Sequence, residues 1–72
     1  MERLELTKEE QIAIIESEIR QHKASEYALS LRGRVHVKIG NKEGMNAVEE
    51  ALEKTTQAID ILSAELDALK KG

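Results

Sequence analysis

Cysteine, proline, phenylalanine and tryptophan are all absent from this 72-residue chain. Without cysteine there can be no disulfide bond, and nothing in the composition indicates secretion. Without proline, helices can run uninterrupted. Tyr27 is the only aromatic side chain, so a core must be built from Ile, Leu, Val, Ala and Met. No apolar run reaches the length of a membrane span, and the first residues lack a signal-peptide hydrophobic segment, so we expect a cytoplasmic protein.

Size and composition favour a single all-α domain. Charged residues make up 35% of the chain, which is typical of long helices and coiled coils. A core of this size seldom supplies more than about 3–5 kcal/mol, and such chains often rely on self-association when they lack disulfides. We therefore predict that residues 1–72 form one antiparallel two-helix hairpin, which a homodimer completes to a four-helix bundle.

The first helix is predicted to span about residues 8–39. Thr7 and Glu10 have the spacing of a capping box, in which each side chain binds the backbone N–H of the other residue. Two apolar stripes follow at helical spacing, about a third of a turn apart. The first stripe consists of Ile12, Ile15 and Ile19, and the second of Ala24, Ala28, Leu31 and Val35. A helix with two stripes is expected to contact more than one neighbour.

Residues 34–39 allow two interpretations. Polar and apolar side chains alternate there, β-branched residues are frequent, and Gly33 and Gly40 bracket the segment, as expected for a short strand. Leu4 and Leu6 alternate in the same way and could belong to a second strand, but two short strands are not stable by themselves. We therefore favour helix through Ile39, although Gly33 costs about 1 kcal/mol relative to alanine inside a helix.

A short turn over about residues 40–46 is predicted to separate the helices. Gly40 suits the left-handed conformation that commonly follows a helix. Either Asn41 or Asn46 has a side chain that can cap the next helix, so its start at residue 42 or 47 stays open. The short connection makes the two helices antiparallel neighbours.

The second helix is predicted to end near residue 71 and has the clearest apolar pattern. Apolar residues recur at alternating spacings of three and four, as in a coiled-coil seam. This seam consists of Val48, Leu52, Thr55, Ile59, Leu62, Leu66 and Leu69. Ala51, Ala58 and Ile61 widen the apolar face beyond what one neighbouring helix covers, which favours a further packing partner.

Residues 31–45 resemble part of a tetratricopeptide repeat, and the comparison covers about a third of the chain. In that family a glycine of the first helix and a glycine of the turn lie seven positions apart, as Gly33 and Gly40 do here. Met45 stands where the family has a small residue, and Leu52 stands where it has alanine. The resemblance implies a helix–turn–helix unit that binds other proteins.

The sequence offers little for catalysis or metal binding. Glu18, His22 and Glu26 lie four residues apart on one helix face, but solvated carboxylates beside a surface histidine are the commoner arrangement, so we predict no metal site. The sequence has no nucleophile–base pattern and no phosphate-binding loop, and a lone hairpin has no sizeable pocket. We expect neither enzymatic activity nor a cofactor.

Charge is distributed in blocks along the chain. Residues 1–19 have a net charge of −4, residues 20–42 of +5 and residues 43–72 of −4. In a hairpin this pattern is expected to make the turn end basic and the end with both termini acidic, which favours an antiparallel dimer. The candidate anion contacts in the basic block are Arg32, Arg34, Lys38 and Lys42.

Two functions follow from these features. The favoured one is a small protein–protein interaction or scaffold module that acts through self-association and binding of a protein partner. The alternative is a nucleic-acid-binding regulator that uses the basic block to bind phosphates. Against the alternative, the chain is acidic overall and has no aromatic residue beside the block for base stacking.

Overall fold

The computed structural model describes residues 5–72, which consist of two α-helices joined by a two-residue turn. Helix α1 is Lys8–Ile39 and helix α2 is Lys42–Lys71. The helices pack along each other as an antiparallel hairpin that is 53 Å long. No strand occurs among residues 5–72, so the predicted all-α hairpin is confirmed, and residues 34–39 are helical.

Helix α1 begins with the predicted capping box. The Thr7 hydroxyl accepts a hydrogen bond from the Glu10 N–H at 3.1 Å, and the Glu10 carboxylate accepts one from the Thr7 N–H at 2.8 Å. Two backbone donors that the first turn leaves unpaired are thereby satisfied. Glu9 and Glu10 also place negative charge at the positive end of the helix dipole.

The turn ends one helix and starts the next within two residues. Gly40 has a left-handed φ of 72°, and its N–H donates to the Val37 carbonyl at 3.2 Å. The Asn41 N–H donates to the His36 carbonyl at 2.9 Å, which completes a Schellman motif. The Asn41 side chain then accepts the Gly44 N–H at 3.0 Å, so α2 starts at Lys42 and not at residue 47.

The helices meet along one seam that runs the full length of the hairpin. On α2 the seam follows the predicted spacing, and each of its residues is buried or half-buried. These residues are Met45, Val48, Leu52, Thr55, Ile59, Leu62, Leu66 and Leu69. The α1 seam has the same alternation of three and four. Its residues are Ile12, Ile15, Ile19, His22, Glu26, Leu29, Gly33 and His36.

The core of the hairpin is thin. Val48, which is 6% exposed, is the one buried apolar side chain among residues 5–72, and the other apolar residues of the seam are half-buried. Val48 packs against Gly33, which is the one buried residue of α1. Two helices alone therefore bury hardly any apolar side chain completely.

The second predicted stripe of α1 does not join this contact. Leu31 is 41% exposed and Val35 is 56% exposed, because the seam passes through Leu29 and Gly33 instead. Ala28 is half-buried beside the seam. Because both patterns have helical spacing, the sequence alone does not show which of them contacts α2.

Candidate functional site

One side of the hairpin is charged. Across the helix pair on this side, Lys70 Nζ lies 3.8 Å from Glu16 Oε2. Nearer the middle, the Thr56 hydroxyl donates to the Glu26 carboxylate at 3.1 Å. We call this the charged side. Its outer positions on α2 carry Glu49, Glu53, Asp60 and Asp67.

Near the turn, the charged side contains an open groove between the helices. Val37, Met45 and Leu52 form its apolar lining. Arg34 and Lys38 stand on its α1 wall, and Glu49 stands on its α2 wall. Gly33 and Val48, which pack against each other, also line the groove.

The opposite side of the hairpin is identified by a contact at the turn. The His36 ring lies directly over Gly44, so a Cβ added at Gly44 would sit only 2.5 Å from His36 Nδ1. On α1, Arg32 and Ile39 are one turn away from His36 and flank it on this same side. On α2, positions that recur from Gly44 at intervals of three or four residues therefore lie on this side. On α1, positions that recur in the same way from Ile39 lie on it too.

This opposite surface, which we call the apolar side, is made mostly of aliphatic and small residues. On α1 its apolar members are Ile14, Ala28, Val35 and Ile39, and on α2 they are Gly44, Ala47, Ala51, Ala58, Ile61 and Ala68. Four of these are large aliphatic side chains that the hairpin leaves exposed. Ile14 is 49% exposed, Val35 56%, Ile61 65% and Ile39 68%. Several exposed apolar side chains on one surface mark it as a candidate contact site.

Within the two helices, four charged residues stand on the apolar side. Arg32 and Lys54 lie in the half nearer the turn, and Glu18 and Glu65 lie in the half nearer the termini. The two positive charges are thus separated from the two negative charges along the length of this surface.

The hairpin as a whole lacks the strong polarity that the charge blocks predict. In the half nearer the turn, residues 24–57, five basic residues face five acidic ones, because the acidic residues of α2 lie beside the basic residues of α1. The half that holds residues 5–23 and 58–72 has five basic and eight acidic residues. The charges of the whole turn half therefore cancel, although residues 33–48, which lie nearest the turn, have three basic residues and one acidic one.

The predicted basic block does not form one patch. Arg34 and Lys38 border the groove on the charged side, and Lys42 lies at the turn beside it. Arg32 lies across the helix from Arg34, on the apolar side. Glu49 adds negative charge to the groove, so the surface that a phosphate would meet is mixed in sign.

Two of the three candidate metal ligands make other contacts. The His22 ring donates from Nδ1 to the Glu18 carbonyl oxygen at 2.8 Å, and the Glu26 carboxylate binds Thr56. Both His22 and Glu26 are half-buried in the seam. Among residues 5–72 no group of three or more potential ligands is arranged to hold a metal ion.

Sequence reasoning missed the middle of the α1 seam. His22, Glu26 and Gly33 are not apolar side chains, so an analysis of apolar spacing alone did not connect Ile19 to Leu29. The available signal was that Leu29 lies in the same three–four register as Ile12, Ile15 and Ile19. His22 and Glu26 occupy the positions of that register between Ile19 and Leu29.

Neither helix in the described part of the chain is long and apolar enough to cross a membrane. No protein-family model, curated protein or solved structure matches the chain.

Proposed function

We propose that this protein is a helical interaction module that self-associates through its apolar side, so that two hairpins form a four-helix bundle. The observation that carries this proposal is the exposure of Ile14, Val35, Ile39 and Ile61 on one surface. Removing these side chains from water favours association, since burial of apolar surface is the main driving force for it.

The apolar side is large enough for a stable dimer. A helix of 32 residues is about 48 Å long, and two adjacent helices present a surface about 20 Å wide, or roughly 1,000 Å². A stable interface typically buries about 800 Å² on each partner. The small residues of α2, such as Ala51 and Ala58, allow a second helix to approach closely.

The thin core gives a second reason for self-association. With Val48 as the one buried apolar side chain of residues 5–72, a lone hairpin has little to offset the conformational entropy lost on folding. In a bundle, the apolar side of each hairpin becomes part of a shared core. The charged side and its turn groove stay outside, available to a protein partner, which agrees with the interaction role that the tetratricopeptide resemblance implies.

Nucleic-acid binding has weaker support. Equal numbers of acidic and basic residues in the turn half leave no net positive charge to attract phosphates. The four basic residues are also divided between two sides of the hairpin. We therefore infer protein–protein contact as the function.

Sedimentation equilibrium at micromolar concentration tests this proposal. The wild-type chain should have twice its 8.1 kDa monomer mass. Ile61→Lys should shift the chain to monomer, because a lysine there would place charge inside the dimer contact. Tyr27→Lys is the matched control: Tyr27 is 63% exposed but lies away from the apolar side, so this variant should stay dimeric.

Two results would contradict the proposal. A wild-type mass of 8.1 kDa throughout the concentration range would exclude self-association. A dimer that Tyr27→Lys disrupts and Ile61→Lys leaves intact would place the contact on the other side of the hairpin.

A further inference from the structure

We infer that the apolar side takes a second copy of this chain in an antiparallel orientation, with the turn of each hairpin over the termini of the other. This inference rests on the proposed self-association and adds its orientation. It is carried by the positions of Arg32, Lys54, Glu18 and Glu65, the four charged residues on the apolar side.

Gly33 of α1 and Val48 of α2 are in contact, so they lie at the same height along the hairpin axis. The height of every other residue, which we call its level, is counted from this pair. Both helices rise about 1.5 Å per residue, so Lys54 lies level with Tyr27, and Glu65 lies level with Glu16. Ala58 lies level with Lys23, which is close to the middle of α1.

Consider two copies related by a two-fold axis that passes through this middle level and runs across the helices. Each α1 then packs on α1 of the second copy, and each α2 on α2, all antiparallel. Arg32 comes to within about 6 Å, along the helix direction, of Glu18 of the second copy. Lys54 comes to within about 5 Å, in the same direction, of Glu65 of the second copy. The long side chains of these residues can span that offset, and symmetry doubles both pairs.

The parallel orientation reverses these relations. Each α1 then packs on α2 of the second copy with equal levels side by side. Glu18 would lie within about 3 Å of the level of Glu65 of the second copy, and Arg32 would be nearest Lys54. Each pair carries like charges, which is costly in a contact that excludes water. The apolar residues supply affinity in either orientation, whereas the charges select the antiparallel one.

The antiparallel arrangement also brings together particular small residues of α2. Ala58 lies on the two-fold axis, next to Ala58 of the second copy. Ala47, near the turn, lies beside Ala68 of the second copy. In the parallel arrangement Ala58 faces α1 of the second copy instead, about one helix diameter from its own equivalent.

Disulfide trapping tests this arrangement directly, because the chain has no cysteine of its own. Under mild oxidation, Ala58→Cys should form a covalent dimer with itself. Asp60→Cys, at nearly the same level but on the charged side, is the control and should remain unlinked. Covalent dimers between Val35→Cys and Ala47→Cys chains, with none from Ala58→Cys, would establish the parallel orientation and overturn the inference.

Charge substitutions give an independent readout by sedimentation. Arg32→Glu should raise the dimer Kd about tenfold or more, and adding Glu18→Arg in the same chain should restore it. Arg34→Glu, also near the C-terminal end of α1 but on the charged side, should leave the Kd unchanged. In a parallel dimer Arg32→Glu would instead tighten association, because it would face Lys54.

The two proposals fail in distinguishable ways. A dimer with the parallel cross-links, or one that Arg32→Glu tightens, overturns the antiparallel orientation and leaves self-association standing. A wild-type chain that stays monomeric overturns both.

Discussion

The two glycines near the helix contact have very different surroundings. A Cβ added at Gly33 would lie 3.4 Å from Val48 Cγ1, an ordinary van der Waals distance. A Cβ added at Gly44 would overlap three atoms of the His36 ring, at 2.5–2.7 Å. That ring is held by the Asn41 side-chain amide, whose Nδ2 donates to His36 Nδ1 at 3.3 Å. The same substitution should therefore have different effects at the two positions.

We expect Gly33→Ala to raise the free energy of unfolding by about 0.5–1 kcal/mol, because alanine favours the helix and costs little space here. Gly44→Ala should be at least about 1 kcal/mol less stable than Gly33→Ala, since its clash with His36 opposes the same helix preference. Urea denaturation followed by circular dichroism measures both. The double variant Gly44→Ala/His36→Ala should recover the gain, and equal stability of the two single variants would contradict the assigned contact.

At the scale of the helices, α1 has a seam with a polar middle. His22 and Glu26 occupy seam positions opposite α2, where Thr55 also lies in the seam. Polar groups in such a contact are tolerated when they are hydrogen-bonded. His22 donates to the Glu18 carbonyl, and the Thr55 hydroxyl donates to the Ala51 carbonyl at 2.9 Å. His22 and Thr55 are thus satisfied within their own helices, whereas the Glu26 carboxylate accepts its hydrogen bond from Thr56 of the other helix.

Substitutions of two leucines distinguish the seam from the outer stripe. Leu62→Ala should lower the free energy of unfolding by about 2 kcal/mol, at the low end for a leucine in a packed core because Leu62 is half-buried. Leu31→Ala should change it by less than about 0.5 kcal/mol, because Leu31 is exposed. Both are compared by chemical denaturation at one protein concentration. A larger loss of unfolding free energy for Leu31→Ala than for Leu62→Ala would show that the outer stripe, and not the assigned seam, is buried.

For the whole molecule, folding changes the meaning of the charge pattern. Basic residues of α1 and acidic residues of α2 are far apart in the chain but adjacent in the hairpin, so they offset each other. Separation of charge survives on the apolar side, where Arg32 and Lys54 lie toward the turn and Glu18 and Glu65 toward the termini. The charge separation that can guide association is therefore the one on the apolar side of the folded hairpin, and not the one along the sequence.

If two hairpins share one core, folding and association are linked, and the melting temperature depends on concentration. We expect a hundredfold increase in wild-type concentration to raise the melting temperature by about 5–10 °C, given typical unfolding enthalpies for two chains of this length. The melting temperature of Ile61→Lys should not change over that range. Thermal scans by circular dichroism give both values, and a wild-type transition that ignores concentration would mean that the hairpin folds alone.

The helices and their ends were determined by the sequence itself. The Thr7–Glu10 capping box, the left-handed Gly40 and the apolar spacing of α2 are local features, and local hydrogen bonds and sterics act within a few residues. They predicted α1 to its last residue. They left open whether residues 34–39 are helix or strand, because that segment also alternates as a strand does, and whether Asn41 or Asn46 caps α2.

Only the tertiary structure decided which surfaces meet and which remain open. Both stripes of α1 are compatible with a helix, and only the placement of α2 shows that Leu31 and Val35 stay exposed. The seam passes through His22 and Glu26 because the apolar residues before and after them pack best in that register, a property of two helices together. In the same way, the apolar side became a surface only when the antiparallel pairing placed Ile39 beside Gly44, residues that belong to different helices.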